Sequence, residues 1–547
     1  MMNARGIPSA VRGSSSTRAR GRVASQAAST GTTTTDTAAW RKQYAPEKGK
    51  YTLPIYRGNY KATREECSGT KLVVDGELPE GFPNGVYVRN GPNSYFDPMI
   101  QDVPVLGFAR SHWFEGDGFL HAVYFDGGEV TYRGRFVETE GLAKEKKANR
   151  ALWLPLIDTS PAMTVVDALV NGALHGSASK ASANTNVVRH AGRVLALLEG
   201  SNPVEVDEQT LETIGEHDFG GGLGAGGCTA HPKLDPVTNE LVFFAYLQQA
   251  PFARVGVVSP EGRVSHTAEI AGLEAMTMMH DFGATRTNTV LIDVPLNLKP
   301  ERLFDGDAII AFEKGKRLRF GILPRFGQPS EVRWCEAEPG MIFHTVNAWD
   351  EGDEVVVVAM RADEATILPP SDSEANYREW FDSRFLTGIS NVCSLHEYRI
   401  NAATGVVTER PIKSPRGLME FPKINPRFAC SKSRFAYCLG LDVEESRLTG
   451  APLYNCVVKT DLDEAGKGAE LRFASGVHCS EPEFVPREGA EDEDDGWVVC
   501  FTHDHHTGES GFAVADARNL EAGPVATFNL PTRVPFGLHG AFFPKEA

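Results

Sequence analysis

The sequence predicts an all-β fold of propeller-like blades. Short β-branched or aromatic runs recur at Arg193–Leu198, Glu240–Tyr246, Thr289–Val294, Glu354–Met360, Arg434–Leu439 and Gly496–Phe501. Each neighbours turn residues, as in Asp235–Asn239, Ser259–Gly262 and Asn401–Gly405. The runs begin 47 to 80 residues apart, and a four-stranded blade takes roughly 40 to 50 residues, so the spacing fits blades carrying insertions. A β-sandwich would need fewer strands. A doubly wound α/β fold would need long amphipathic helices between strands, and these are scarce.

The blade pattern starts near Lys71 and runs to the end of the chain at residue 547, preceded by an N-terminal extension over 36–70. Gly141–Ser179 interrupts it. This stretch has few strand signals, contains Ala151–Ile157, and then places Met163, Val165, Val166, Leu169 and Val170 within Ala162–Leu174. It reads as a helical insertion, unusually apolar. Ser371–Arg384 reads as a second helical segment, charged and more exposed, and the acidic run Glu491–Asp495 as a solvated loop.

Composition narrows the function. The chain has Asp+Glu 72 against Lys+Arg 55, a net charge of -17. So acidic a surface repels phosphate backbones, which argues against a nucleic-acid partner. The nine cysteines are dispersed without any C-x-x-C pair, which fits buried thiols rather than a disulfide framework or zinc cluster. No window reaches the roughly 18 apolar residues of a membrane span. Residues 1–35 carry Arg5, Arg12, Arg18, Arg20 and Arg22, many Ser, Thr and Ala, and no acidic residue before Asp36. That is the composition of an organelle transit peptide, a disordered leader being the alternative.

Four of the fifteen histidines stand in distinctive contexts. His231 lies in Thr-Ala-His-Pro, His280 in Met-Met-His-Asp-Phe, His344 in Ile-Phe-His-Thr-Val, and His539 in Gly-Leu-His-Gly-Ala-Phe-Phe-Pro. Their separations of 49, 64 and 195 residues place them on different blades, and a radial sheet arrangement brings such residues onto one axis. Imidazole suits Fe, Cu, Ni and Zn. Four neutral imidazoles leave the metal charge uncompensated, which favours six-coordinate Fe(II) with two open positions. It also requires carboxylates behind the ring N–H groups. Glu199 in Leu-Leu-Glu-Gly, Glu420 in Met-Glu-Phe-Pro and Glu481 in Ser-Glu-Pro-Glu-Phe have apolar strand contexts that would bury them. Taken singly, each is equally readable as an exposed strand-end residue.

Several stretches together resemble the carotenoid cleavage oxygenase family, from about Leu78 to Pro544. They are Gly85-Val-Tyr-Val-Arg-Asn-Gly-Pro-Asn93, His112-Trp-Phe-Glu-Gly-Asp-Gly118, Met278-Met-His-Asp-Phe282, Glu420-Phe-Pro-Lys-Ile-Asn425, Ser480-Glu-Pro482 and Gly537-Leu-His-Gly540. The resemblance implies a seven-bladed β-propeller capped by a helical dome. It implies Fe(2+) on the axis, held by His231, His280, His344 and His539. Glu199, Glu420 and Glu481 would support His280, His344 and His539 respectively, and His231 would have no carboxylate partner. His112, His121, His503, His505 and His506 are not expected to be ligands. The last three, in a charged turn, read as solvated. Trp113–Gly118 reads as a structural turn with Glu115 and Asp117 accepting local hydrogen bonds.

The implied activity is dioxygenase cleavage of a conjugated C=C bond in a carotenoid or apocarotenoid, with a lipophilic polyene and O2 as partners. The 141–179 insertion falls where the family places dome elements and an apolar surface that dips into membranes, ordinary dome packing being the alternative. The leader and the family together point to a plastid, with the cytoplasm as the alternative. Stilbene cleavage within the family is a rival, but Ser111 stands where the stilbene branch would place a Tyr. A retinyl ester isomerohydrolase does not suit the leader. A metal-free binding scaffold does not suit the retained histidines and glutamates.

Overall fold

The computed structural model describes residues 39–46, 53–96, 101–103, 107–110, 112–155, 158–177, 179–299, 301–302, 309–365, 373–386 and 393–546. The leader at 1–35, Ser111, and parts of the predicted helical stretches lie outside them.

Among the described residues, seven antiparallel sheets of four to six strands dominate, with two three-stranded sheets beside them. In chain order, the seven blades are centred on Asp117–Asp126, Arg193–Leu197, Leu241–Tyr246, Asn288–Asp293, Glu354–Ala362, Phe435–Leu441 and Gly496–Asp504. The six runs read from the sequence are the second strands of blades 2 to 7. These strands are buried on both faces, as in Leu241–Tyr246 and Glu354–Ala362, so they appear as unbroken apolar runs. The hairpin into Glu354–Ala362 pairs Glu351 with Glu354 across a two-residue turn, where Gly352 takes the positive φ of 62° that such a turn demands.

Apolar clusters join consecutive sheets in a complete circuit. Blade 1 packs on blade 2 through Val88 and Val194, and blade 2 on blade 3 through Leu195 and Phe243. Blade 3 meets blade 4 through Val255 and Leu291, and blades 4, 5 and 6 share one large cluster. Tyr437 and Phe484 join blades 6 and 7, while Phe125 and Phe512 bring blade 7 back to blade 1. The two chain ends lock the ring by backbone pairing. Gly540–Pro544 pairs with Gly85–Arg89 in blade 1, and Val74–Gly76 pairs with Ala526–Asn529 in blade 7.

The apolar insertion forms two helices, α1 (Glu140–Ala148) and α2 (Pro161–His175). Thr139 caps α1 by accepting the Leu142 N–H, and Pro161 opens α2 at a position where its missing N–H costs nothing. Within the 371–384 segment, α3 (Glu374–Trp380) runs into a π-helical turn over Phe381–Phe385. Its exposure differs from expectation. Tyr377, Phe381 and Phe385 are buried against Trp40, Tyr44, Tyr60, Leu441 and Phe536, because the N-terminal segment packs over them. Glu491–Asp495 is likewise not simply solvated. Glu493 accepts the backbone N–H groups of Arg434 and Phe435, and Asp494 pairs with Lys459 at 2.7 Å.

Two histidines of the charged turn require a larger correction, while His506 is exposed as expected. His503 and His505 are buried, and together with His478 they lie beneath Trp40, whose ring stacks on His505 at 4.8 Å. Burial pushes the pKa values of His503 and His505 down to about 3. The flanking charges suggested solvent, but Trp40, distant in sequence, covers them. At the Trp113–Gly118 turn Glu115 accepts the His112 N–H at 3.1 Å, a local bond as expected, whereas Asp117 opens a strand and takes distant partners, the Tyr95 N–H at 3.0 Å and Lys180 at 2.5 Å. Every cysteine is free, and all but Cys67 are buried. Among the described residues, no helix is long and apolar enough to cross a membrane.

Candidate metal centre

Each of the seven blades delivers one predicted site residue to the axis. His539 comes from blade 1, Glu199 from blade 2, His231 from blade 3 and His280 from blade 4. Blade 5 supplies His344, blade 6 Glu420 and blade 7 Glu481. Six of them sit beside or within the inner strands, where the ladders are short or irregular, and Glu199 follows Arg193–Leu197, the second strand of blade 2. The blade 5 hairpin shifts register on both sides of Thr345, and the blade 6 hairpin shifts between Glu420 and Lys423. Such breaks free a side chain from the alternation of a regular strand and aim it inward.

The structure brings all four histidines together, with one ligand atom from each lying within 4.8 Å of the others. His231 Nε2 and His280 Nε2 are 3.0 Å apart, and His280 Nε2 and His344 Nε2 are 3.2 Å apart. Behind them, Glu420 Oε2 accepts the His344 Nδ1–H at 2.6 Å, and Glu481 Oε1 accepts the His539 Nδ1–H at 2.7 Å. Glu199 Oε1 takes the corresponding place at His280 Nδ1. His231 has no carboxylate partner among the described residues. The pairs follow the expected assignment.

A proton held on Nδ1 leaves the Nε2 lone pair facing the axis. Lone pairs opposed at 3.0 Å repel unless a cation lies between them. Two imidazole nitrogens bound at right angles to one first-row metal, at about 2.1 Å each, are about 3.0 Å apart. The donor set therefore fits a metal ion. Electrostatics agree: burial, followed by the neighbouring histidines, holds His231 well below its ordinary pKa, which keeps it neutral. At Glu420, burial opposes ionisation but His344 and the Phe421 N–H outweigh it. At Glu481, burial is outweighed by Lys423 and His539.

The two sides of the centre differ. Phe343 lies 5.6 Å from the His280 ring, while Phe421 lies 5.7 Å from His344 and 5.5 Å from His539. Tyr454 packs on Phe421, forming an apolar wall toward the buried α3 cluster. A cavity of about 1020 Å³ reaches His231, His344 and His539 past Lys233, Asp281, Lys423, Glu481 and Glu483. Its lining mixes these charges with apolar residues such as Leu234, Val346, Ile424, Phe484 and Phe542. Sequence reading missed Lys423, whose Nζ is 3.0 Å from Glu483 and 3.3 Å from Glu481. The residue was visible inside the Glu420–Asn425 stretch, but nothing there announces a partner from blade 7.

Residues 60–544 match the family described as retinal pigment epithelial membrane protein. Carotenoid 9,10(9',10')-cleavage dioxygenase 1 of Arabidopsis thaliana is 33% identical over 520 residues, covering 90% of this chain and 91% of its own. The chain belongs to the carotenoid cleavage oxygenase family. Family membership covers more than one named chemistry. Isoeugenol monooxygenase of Pseudomonas putida is 31% identical over 505 residues, covering 90% of this chain and 98% of its own. Among solved structures, the Pseudomonas brassicacearum lignostilbene dioxygenase aligns with a TM-score of 0.77 at 27% identity, covering 90% of this chain and 99% of its own. Relatives from rice and Arabidopsis are named chloroplastic.

Proposed function

We propose that this member of the carotenoid cleavage oxygenase family is an Fe(II)-dependent dioxygenase that cleaves one conjugated double bond of a carotenoid or apocarotenoid. The observation carrying this reading is the convergence of four imidazole Nε2 atoms, three of them backed by carboxylates, two of which are buried, beside an apolar wall. His231, His280, His344 and His539 would hold the ion, with Glu199, Glu420 and Glu481 offsetting its charge. Bound ferrous iron supplies the activation of O2. The reaction balances as one alkene plus one O2 giving two carbonyl products, so both oxygen atoms leave in product and no proton is transferred.

The residues' own tasks follow from that balance. The glutamates keep Nδ1 protonated and aim each ring. Phe343, Phe421 and Tyr454 exclude water from the face the polyene would occupy. The five apolar residues Val165, Val166, Leu169, Val170 and Leu174 on α2 are substantially exposed, a surface suited to a lipid interface from which a water-insoluble substrate is drawn. The leader composition and the chloroplastic relatives support a plastid location.

A second reading, cleavage of a stilbene or other phenylpropenoid, is favoured by the isoeugenol and lignostilbene relatives. The Ser111 argument against it lies outside the described residues. The test is aerobic incubation of Fe(II)-loaded protein with β-carotene, an apocarotenal, resveratrol and isoeugenol, with products read by mass. Paired carbonyls from a polyene, absent with His280→Ala, are expected. Products only from the phenolic substrates would select the second reading. No product and no bound iron would leave the metal-free scaffold.

A further inference from the structure

Three residues flanking histidines of the centre are joined side to side. Asp281 follows His280, Thr345 follows His344, and Lys233 lies two residues after His231. Asp281 is only 3% exposed. Its Oδ2 accepts the Thr345 N–H at 2.8 Å and the Thr345 hydroxyl at 2.8 Å. Its Oδ1 lies 2.6 Å from Lys233 Nζ and accepts the Phe282 N–H at 2.7 Å.

These ties cross blade boundaries. Blades 3, 4 and 5 also meet through apolar side chains in the two clusters that join them, contacts that are non-directional, and through polar ties that do not involve residues flanking the histidines, such as Arg325 to Asp235 and Thr285 to Asp350. A small shear between blades would cost little packing but would misplace a metal ligand, for which displacements near 1 Å matter. The register shifts around Thr345 release its N–H from a regular ladder, and Asp281 receives it. The Lys233–Asp281 pair is neutral overall. It leaves the charge balance with the three glutamates unchanged, so its contribution is geometric. The fourth histidine is held separately: Gly540 donates its N–H to Glu481 at 2.8 Å, and Lys423 donates to the Gly540 carbonyl at 2.5 Å.

We propose that Asp281 is a positioning residue that, through Lys233 and Thr345, fixes His231, His280 and His344 in metal-binding geometry before the ion arrives. This rests on reading the four histidines as a metal centre. The test is an anaerobic Co(II) titration of the full chain and its Asp281→Asn and Thr345→Val variants, following affinity and visible ligand-field absorption, with urea unfolding alongside. Asp281→Asn should weaken Co(II) binding about 10- to 100-fold and shift the absorption bands. Thr345→Val, which keeps its N–H, should fall between it and the unmodified protein. Wild-type affinity and spectrum in Asp281→Asn would overturn the proposal, even with lower stability; if that variant fails to fold, the same result in Thr345→Val overturns it. Absence of Co(II) binding by the unmodified protein would instead overturn the metal-centre reading itself.

Discussion

One oxygen of Glu420 serves two donors: Oε2 accepts the His344 Nδ1–H at 2.6 Å and the Phe421 N–H at 2.5 Å. An amide oxygen could accept both bonds, but it lacks the negative charge that holds the proton on His344 Nδ1 and offsets a bound cation. Glu420→Gln should therefore lower metal affinity about 10- to 100-fold while leaving the fold intact. Metal titration with circular dichroism as the fold control checks this, and unchanged affinity would remove Glu420 from its assigned role.

Glu481 and Glu199 make similar contacts with histidine but stand in different surroundings. The Glu481 side chain is 1% exposed and faces Lys423, whereas that of Glu199 is 20% exposed. Glu481→Gln breaks a pair between the buried Glu481 and the half-buried Lys423 and should cost about 3 kcal/mol. Glu199→Gln should cost about 1 kcal/mol. Urea unfolding of the metal-free proteins ranks them, and equal losses would show that Lys423 does not depend on Glu481.

The buried histidines beneath Trp40 predict an acid-labile N-terminal segment. His505 titrates freely near 6.5 when unfolded but at about 3 when folded. The unfolded chain thus binds more protons throughout that window, and stability falls as pH drops through it. His505→Phe removes one such site and should flatten the dependence by up to about 1.4 kcal/mol per pH unit below 6.5. Any packing cost of the larger ring is common to all pH values. Unfolding measured at pH 7, 6 and 5 reads the slope, and an unaltered slope would contradict the assignment.

Leu169 and Leu174 are 69% and 71% exposed on α2. Replacing both with Ser should lower binding to lipid vesicles about 10- to 100-fold with little change in thermal stability, since neither is buried in the protein. Co-sedimentation with vesicles checks it, and undiminished binding would place any membrane contact elsewhere.

What the sequence showed of this fold depended on burial. Strands such as Leu241–Tyr246, hidden on both faces, stood out as apolar runs. Edge strands such as Thr213–Glu216 and Val264–Glu269 alternate buried or half-buried with exposed residues and left little signal. Blade 1 was obscured because its inner strand, Gly540–Pro544, comes from the far end of the chain. The histidines and glutamates were recognisable from their motifs. The histidine separations already implied different blades, but that the glutamates occupy the remaining three did not show, nor did the Lys423 and Lys233–Asp281–Thr345 contacts, because each depends on partners from another blade.

In the proposed function, His231, His280, His344 and His539 hold one ferrous ion on which double-bond cleavage depends. The most direct measurement is anaerobic Fe(II) loading of the protein and its four single His→Ala variants, scoring bound iron and then carotenoid turnover in air. One iron per chain is expected in the unmodified protein, and reduced iron with no turnover in every variant. Full iron or sustained turnover in any variant, or no iron in the unmodified chain, would contradict the proposed function.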